Sequence, residues 1–300
     1  MSEAYIVDAV RTPTGRRGGG LSGVHPADLG GHAISSVLER NDVDPMAVDD
    51  VVFGCVDALG PQAGDIARTA WLAAGLPEAI PGTTIDRQCG SGQQAISFAA
   101  MGVWAGVQDL VVAGGVQNMS MVPIGLALEA AAPLGHEDPF SGSTGWVNRY
   151  GLQEVTQFRG AEMIAEKWDL SREAMEAFAF ESHRRAVVAI DEGRFDNEVV
   201  PLAGVTADEG PRRDVSMERM ADLPPLVEGG RLTAALASQI SDGAAALLVA
   251  SERAVADHGL TPRARIHHVS VRGDDPIFML TGPIPATAHA LERAGMSIGD

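Results

Sequence analysis

Short apolar runs alternate with longer amphipathic ones through the first part of the chain, and this alternation limits the folds open to it more than any other feature. Ala4–Val10, Asp50–Val56, Thr83–Asp86 and Asp109–Ala113 are brief, rich in Val and Ile, and bounded by glycine, proline or aspartate, so they read as strands. Between them, Pro26–Arg40, Asp65–Ala74 and a small-residue stretch from Gly90 to about Ala105 carry helical spacing. Strands that are apolar on both faces need cover on both sides, and helices that follow each strand supply it. The expected class is layered α/β, with helices over a central sheet.

Beyond Met121 the pattern changes. Residues 121–160 hold Pro133, Gly135, Pro139, Gly142 and Gly145 with little periodicity and read as a loop-rich excursion. Helices are expected at 161–168 and 171–192, and an extended, turn-rich segment from Pro201 to Gly230. A second α/β unit follows: a turn at Ser241 running into a strand to Ala250, a helix at 251–258, a strand over 264–271 and a helix at 285–294. A strand and helix without their next strand are half a βαβ unit, so the second sheet is expected to continue past Asp300.

The formal net charge of −18 opposes nucleic-acid binding, which needs a basic face. It also requires that any phosphorylated ligand be held by local cations against the overall field. Lys167 is the single lysine, so arginine supplies nearly all the positive charge, which suits bidentate phosphate contacts, although a GC-rich genome gives the same bias and is the plainer reading. No apolar run approaches the roughly 20 residues of a membrane helix, and the N-terminus lacks a basic start followed by an apolar block. A cytoplasmic protein is expected. Two cysteines, Cys55 and Cys89, cannot form a disulfide framework, and no Cys/His spacing suits a metal.

Asp86-Arg-Gln-Cys-Gly-Ser-Gly-Gln-Gln-Ala95 sets Cys89 at a strand-to-helix turn. A helix start presents N–H groups without intrahelical partners and a partial positive charge, which favour the thiolate, the attacking form of cysteine. The glycines after it let the backbone approach a ligand closely, so the Cys89 N–H could face a developing oxyanion. A small buried apolar cysteine would occupy the same position equally well. Position alone leaves both readings standing.

These residues resemble the thiolase family. Arg11-Thr-Pro-x-Gly15, the Cys89 motif and Gly114-Gly-Val-Gln-Asn-Met-Ser120 match thiolase motifs in family order. So do Asp208-Glu-Gly-Pro-Arg212, Thr233-Ala-Ala-Leu-Ala-Ser238, Ser241-Asp-Gly-Ala-Ala245 and Gly282-Pro-Ile-Pro-Ala286. The resemblance implies two similar βαβαβ halves stacked in five layers. It divides the chain into a nucleophile-bearing half (1–119 with 241–262), an inserted loop domain (120–240) and the start of the C-terminal half (263–300), the second half incomplete. It implies an acyl-CoA acyltransferase that cleaves a 3-oxoacyl-CoA through a Cys89 thioester, in a two-step exchange. Coenzyme A is then co-substrate, no cofactor is bound permanently, and the protein is a homodimer or homotetramer. By the same resemblance Ser238 meets the pantetheine arm, Arg212 the nucleotide end of coenzyme A, and Met119 the acyl pocket. Each also has a plainer role: a loop hydroxyl, a solvated arginine, a core methionine. Cys55 and the histidines, including His183, His267 and His268, read as structural or surface residues.

Some positions depart from the family. Gln117 stands where glutamate is common, and Ala235-Leu236 replaces Gly-Asn before Ala-Ser. The family's Asn-Glu-Ala-Phe segment, its Gly-His-Pro histidine and its second cysteine in Cys-x-Gly-Gly are expected beyond Asp300. Without them, a polypeptide of these residues alone is expected to be inactive and poorly folded. A ketoacyl synthase differs around the cysteine. A thiolase-like protein that binds acyl or sterol ligands without turnover is the alternative from another class, motivated by Gln117 and Leu236 and opposed by the intact Cys89 motif.

Overall fold

The computed structural model describes residues 2–136 and 138–300; Met1 and Glu137, the latter inside the loop-rich stretch, lie outside it. In chain order the elements are β1 (Ala4–Arg11), β2 (Gly15–Arg16), α1 (Pro26–Arg40), β3 (Asp50–Gly54), α2 (Ile66–Ala73), β4 (Gly82–Ile85), α3 (Ser91–Trp104) and β5 (Leu110–Asn118). Then come α4 (Leu126–Glu129), α5 (Thr144–Tyr150), α6 (Gln157–Lys167), α7 (Arg172–Asp191), α8 (Met217–Ala221), β6 (Ser241–Ser251), α9 (Glu252–Asp257), β7 (Ala264–Arg265) and α10 (Pro283–Ala294). Two compact units emerge: residues 1–127, 193–210 and 239–266 in one, 128–192, 211–238 and 267–300 in the other.

The first unit is built on a mixed sheet of order β4-β3-β5-β6-β1-β7, with β2 on β6. β3 runs parallel to both β4 and β5, while β6 is antiparallel to β5 and β1. Pleating sends alternate residues to opposite faces. Val51 and Phe53 of β3 and Val112 and Val116 of β5 join Leu29, Ile34, Ile66 and Trp71 of α1 and α2. Val52, Val111 and Ala113 turn the other way, onto Ala95, Ala99, Ala100 and Val103 of α3. Both faces of the sheet are therefore dry, which explains its near-continuous apolar strands. Gly30 and Gly31 let α1 close on α2: a Cβ on Gly30 would stand 2.8 Å from the Ala70 Cβ.

The edge of this sheet is fastened by charge. Asp8, 6% exposed on β1, accepts from Arg40 Nε (2.9 Å) and Nη2 (2.7 Å), Asn41 Nδ2 (3.0 Å), Arg263 Nη1 (3.0 Å) and the Ala9 N–H (2.8 Å). Burial alone would raise its pKa; the hydrogen bonds from Asn41, Ala9 and Arg40, with the Arg40 charge, outweigh it and hold the carboxyl below its ordinary 3.8. A depressed folded-state pKa contributes stability that is present above the unfolded value and is lost as pH falls through the folded one. The melting temperature is therefore expected to drop as pH is taken below about 4. Asp8→Asn should lower stability at pH 7 and flatten that acid limb; an acid limb identical to the parent's would remove Asp8 from its cause.

In the second unit, several helix starts are set by hydroxyl caps, although α10 begins at Gly282 without one. Thr156, Ser171 and Ser216 accept from the Arg159, Ala174 and Arg219 N–H groups, respectively. Thr156 starts α6 four residues ahead of the expected 161, and Ser216 opens α8 where only extended chain was expected. α7 carries a buried Glu176 paired with Arg172 (2.7 Å), whose Nη2 also donates to the Met220, Ala221 and Leu223 carbonyls. The strand expected over 264–271 is shorter. Only Ala264 and Arg265 pair, with Ile6 and Tyr5, and a strand persists only where a ladder exists.

Candidate active site

The parallel strands β3, β4 and β5 end together, and at their carboxyl ends lies a cleft of about 360 Å³. Ligand sites in α/β sheets form at this end because the turns leaving the strands diverge there. Its lining includes Arg11, Gly54, Cys55, Cys89, Gln117 and Met119.

Cys89 sits in the turn from β4 into α3, and its side chain is exposed. The preceding Gln88 has a φ of 48°, a left-handed conformation that side chains seldom adopt. Two neighbours hold it. The Asp86 carboxylate accepts the Gln88 N–H (2.7 Å), while Ser91 Oγ accepts from the Arg87 N–H (2.7 Å) and donates to the Gln88 carbonyl (2.6 Å). α3 then starts at Gly90, which supplies no capping side chain. Its first turn lies hard against β3: a Cβ on Gly54 would stand 2.5 Å from the Gly92 nitrogen and overlap the Ser91 carbonyl carbon. Gly114 and Gly115 serve β5 similarly, a Cβ at 115 falling 2.8 Å from the Gly54 oxygen.

Cys55 is buried in the core cluster and also floors the cleft. Burial, with the nearby Asp57 and Asp86 carboxylates, pushes its thiol pKa up to about 12. It remains a thiol at neutral pH, and its S–H donates to Gln117 Oε1 (3.6 Å), which also takes the Val56 N–H (3.1 Å). Arg11 is held on one wall by Glu198 (2.7 Å) and by both Asp208 oxygens (2.6 and 3.0 Å). Burial would raise the Asp208 pKa, but Arg11 and the Thr14 N–H hold it below the usual range. Met119, half-buried, completes the pairing of a sequence candidate with Cys89 in one cleft.

The other candidates belong to the second unit. Arg212 is exposed and its N–H donates to His183 Nδ1 (3.1 Å); Ser238 is exposed at that unit's boundary. Sequence reasoning passed over Arg11, Cys55 and Gln117 as cleft residues. The Arg-Thr-Pro motif at the end of β1 was the signal available for Arg11. Gln117 lies in the Gly114–Ser120 motif, but nothing local placed it or Cys55 beside Cys89, because their convergence comes from strand order. Among the described residues no His, Cys, Asp and Glu cluster could hold a metal, and no helix is long and apolar enough to cross a membrane.

An exposed thiol at a helix start, at the carboxyl ends of parallel strands, fits the class of covalent acyl-transfer sites. The family model for the thiolase N-terminal domain matches residues 4–253. A steroid 3-ketoacyl-CoA thiolase of Mycobacterium tuberculosis is 60% identical over 304 residues, the match covering 100% of this chain and 74% of that protein. A beta-ketoadipyl-CoA thiolase of Escherichia coli is 40% identical over 318 residues, covering 100% of this chain and 79% of its own. The crystal structure of the Bacillus anthracis acetyl-CoA acetyltransferase matches with a TM-score of 0.85 at 35% identity, over 100% of this chain and 78% of that one. The chain belongs to the thiolase family, has the thiolase fold and is an acyltransferase.

Proposed function

We infer that the protein cleaves a 3-oxoacyl-CoA whose acyl part carries a steroid-derived ring system. The observation that carries this is the 60% identity to the steroid 3-ketoacyl-CoA thiolase across the whole chain. In the reaction, Cys89 Sγ attacks the 3-keto carbon, and the bond to the neighbouring carbon breaks. The departing carbanion takes up a proton and leaves as acetyl-CoA. The coenzyme A thiol then attacks the Cys89 thioester, releasing the shortened acyl-CoA and returning the proton to sulfur. The exposed position of Cys89 in a cleft supports its role as nucleophile, and the shared cleft supports Met119 as an acyl contact. Ser238 and Arg212 remain the proposed pantetheine and nucleotide contacts. Coenzyme A acts as co-substrate rather than a resident group, and the working state is a cytoplasmic homodimer or homotetramer.

The test compares a steroid-derived 3-oxoacyl-CoA with acetoacetyl-CoA, following the Cys89 thioester by intact mass and peptide mapping. The steroid-derived compound should acylate Cys89 about 10-fold faster or more, the discrimination a shaped apolar pocket provides. Preference for acetoacetyl-CoA would remove the steroid assignment. No adduct with either in a full-length sample would favour a ligand-binding protein without turnover.

A further inference from the structure

Gln88 and Cys89 are the two central residues of a turn that the Gly90 N–H closes on the Arg87 carbonyl (3.1 Å). Turns with a positive φ at the first of these positions are dominated by glycine, asparagine and aspartate. Here that residue is Gln88, at 48°. Packing does not hold it, because Arg87, Gln88, Cys89 and Gly90 are all exposed. Hydrogen bonds do. Three peptide groups lead up to the Cys89 nitrogen, and each is pinned. The first gives the Arg87 N–H to Ser91 Oγ (2.7 Å) and the second gives the Gln88 N–H to Asp86 Oδ1 (2.7 Å). The third offers the Gln88 carbonyl, which accepts from the Ser91 hydroxyl (2.6 Å) and the Ser91 N–H (3.0 Å). Ser91 is 3% exposed, and its hydroxyl both accepts and donates within this one turn. A left-handed residue with a side chain persists only where its surroundings over-determine it, and such residues gather at active sites.

We propose that Ser91 is a positioning residue for acyl transfer: its buried hydroxyl holds Gln88 in the left-handed conformation and so sets where Cys89 Sγ stands when it meets the acyl carbon. This rests on the reading of Cys89 as nucleophile and deepens it. Rotation about the N–Cα bond of Gln88 swings the next peptide group, and Cys89 with it. A sulfur must come within about 3 to 3.5 Å of the carbon it attacks, and a displacement of about 1 Å costs roughly 100-fold in rate. With acetoacetyl-CoA, the bond from Sγ to the keto carbon forms and the bond to the neighbouring carbon breaks. The departing carbon takes up a proton and leaves as acetyl-CoA, so Cys89 keeps an acetyl group. Ser91 touches neither substrate nor sulfur in this account; it acts through the backbone.

The experiment reads the rate of Cys89 acetylation in full-length protein, by rapid mixing with acetoacetyl-CoA and mass measurement of the Cys89 peptide. Ser91→Ala should slow it by about 10- to 100-fold. Glycine takes a positive φ without strain, so in a Gln88→Gly background the same substitution should slow it by less than about 3-fold. Asp86→Ala frees the middle peptide group from an exposed position and should show the same dependence on background. A merely structural hydroxyl would slow both backgrounds equally; that result overturns the proposal, as does acetylation of Ser91→Ala at the parent rate. Should Ser91→Ala not fold, the Asp86→Ala pair decides by the same comparison. A parent that forms no acetyl-Cys89 removes the nucleophile reading, and this inference with it. A parent adduct beside an unaffected Ser91→Ala removes this inference alone.

Discussion

Cys89→Ala is expected to abolish the covalent acyl adduct. Incubation of full-length protein with acetoacetyl-CoA followed by intact-mass measurement should show one acylated site in the parent and none in the variant. Removing the nucleophile of a covalent mechanism lowers turnover by roughly 10⁴- to 10⁶-fold, because the remaining groups have nothing to act through. Stability should change little, since Cys89 is exposed and outside both core clusters. The contrast with Cys55→Ser is informative. Cys55 shares the cleft but sits in the core with its proton held to about 12, so its loss should reduce stability and leave the adduct in place. An acyl group found on Cys55, or an adduct that survives in Cys89→Ala, would refute the assignment.

Gly54→Ala is expected to be among the most damaging single methyl additions in the first unit. It lies where β3 passes beneath the first turn of α3, and the added Cβ meets backbone, which cannot rotate aside as a side chain can. Relief requires moving Ser91 and Gly92 outward, which loosens the grip of Ser91 on Gln88 and Arg87. A loss on the order of 3 kcal/mol follows, roughly 10 °C in melting temperature, with slower labelling of Cys89. Melting and Cys89 labelling both indistinguishable from the parent would show that the helix start tolerates displacement. The expected result ties the Cys89 turn to packing against β3, the strand before β4 in sequence.

Much of this was legible from local pattern. The strands at 4, 50, 82 and 110 and the helices at 26, 66 and 91 begin within about two residues of where spacing put them, the ordinary uncertainty of an element end. Period-2 and period-3.6 patterning reflects which face each element buries, and both core clusters honour it. The misses share a cause. The 264–271 run has strand composition, yet only Ala264 and Arg265 find a ladder on β1. α8 was hidden in a turn-rich segment and exists through the Ser216 cap and the burial of Met220. Gln88 gave no sign of its left-handed backbone, for no glycine marks it; Asp86 and Ser91 impose it.

By itself, then, the amino-acid order determined the α/β class, the nucleophile candidate and the turn that carries it, since these depend on neighbours within a few residues. Only the tertiary structure decided which side chains share a cleft with Cys89. Arg11 and Gln117 arrive there on β1 and β5, and Cys55 just past the end of β3, brought together by a strand order in which β6 lies between β5 and β1. Long-range pairing of that kind is set by which faces can be buried together, and no window along the chain contains that information.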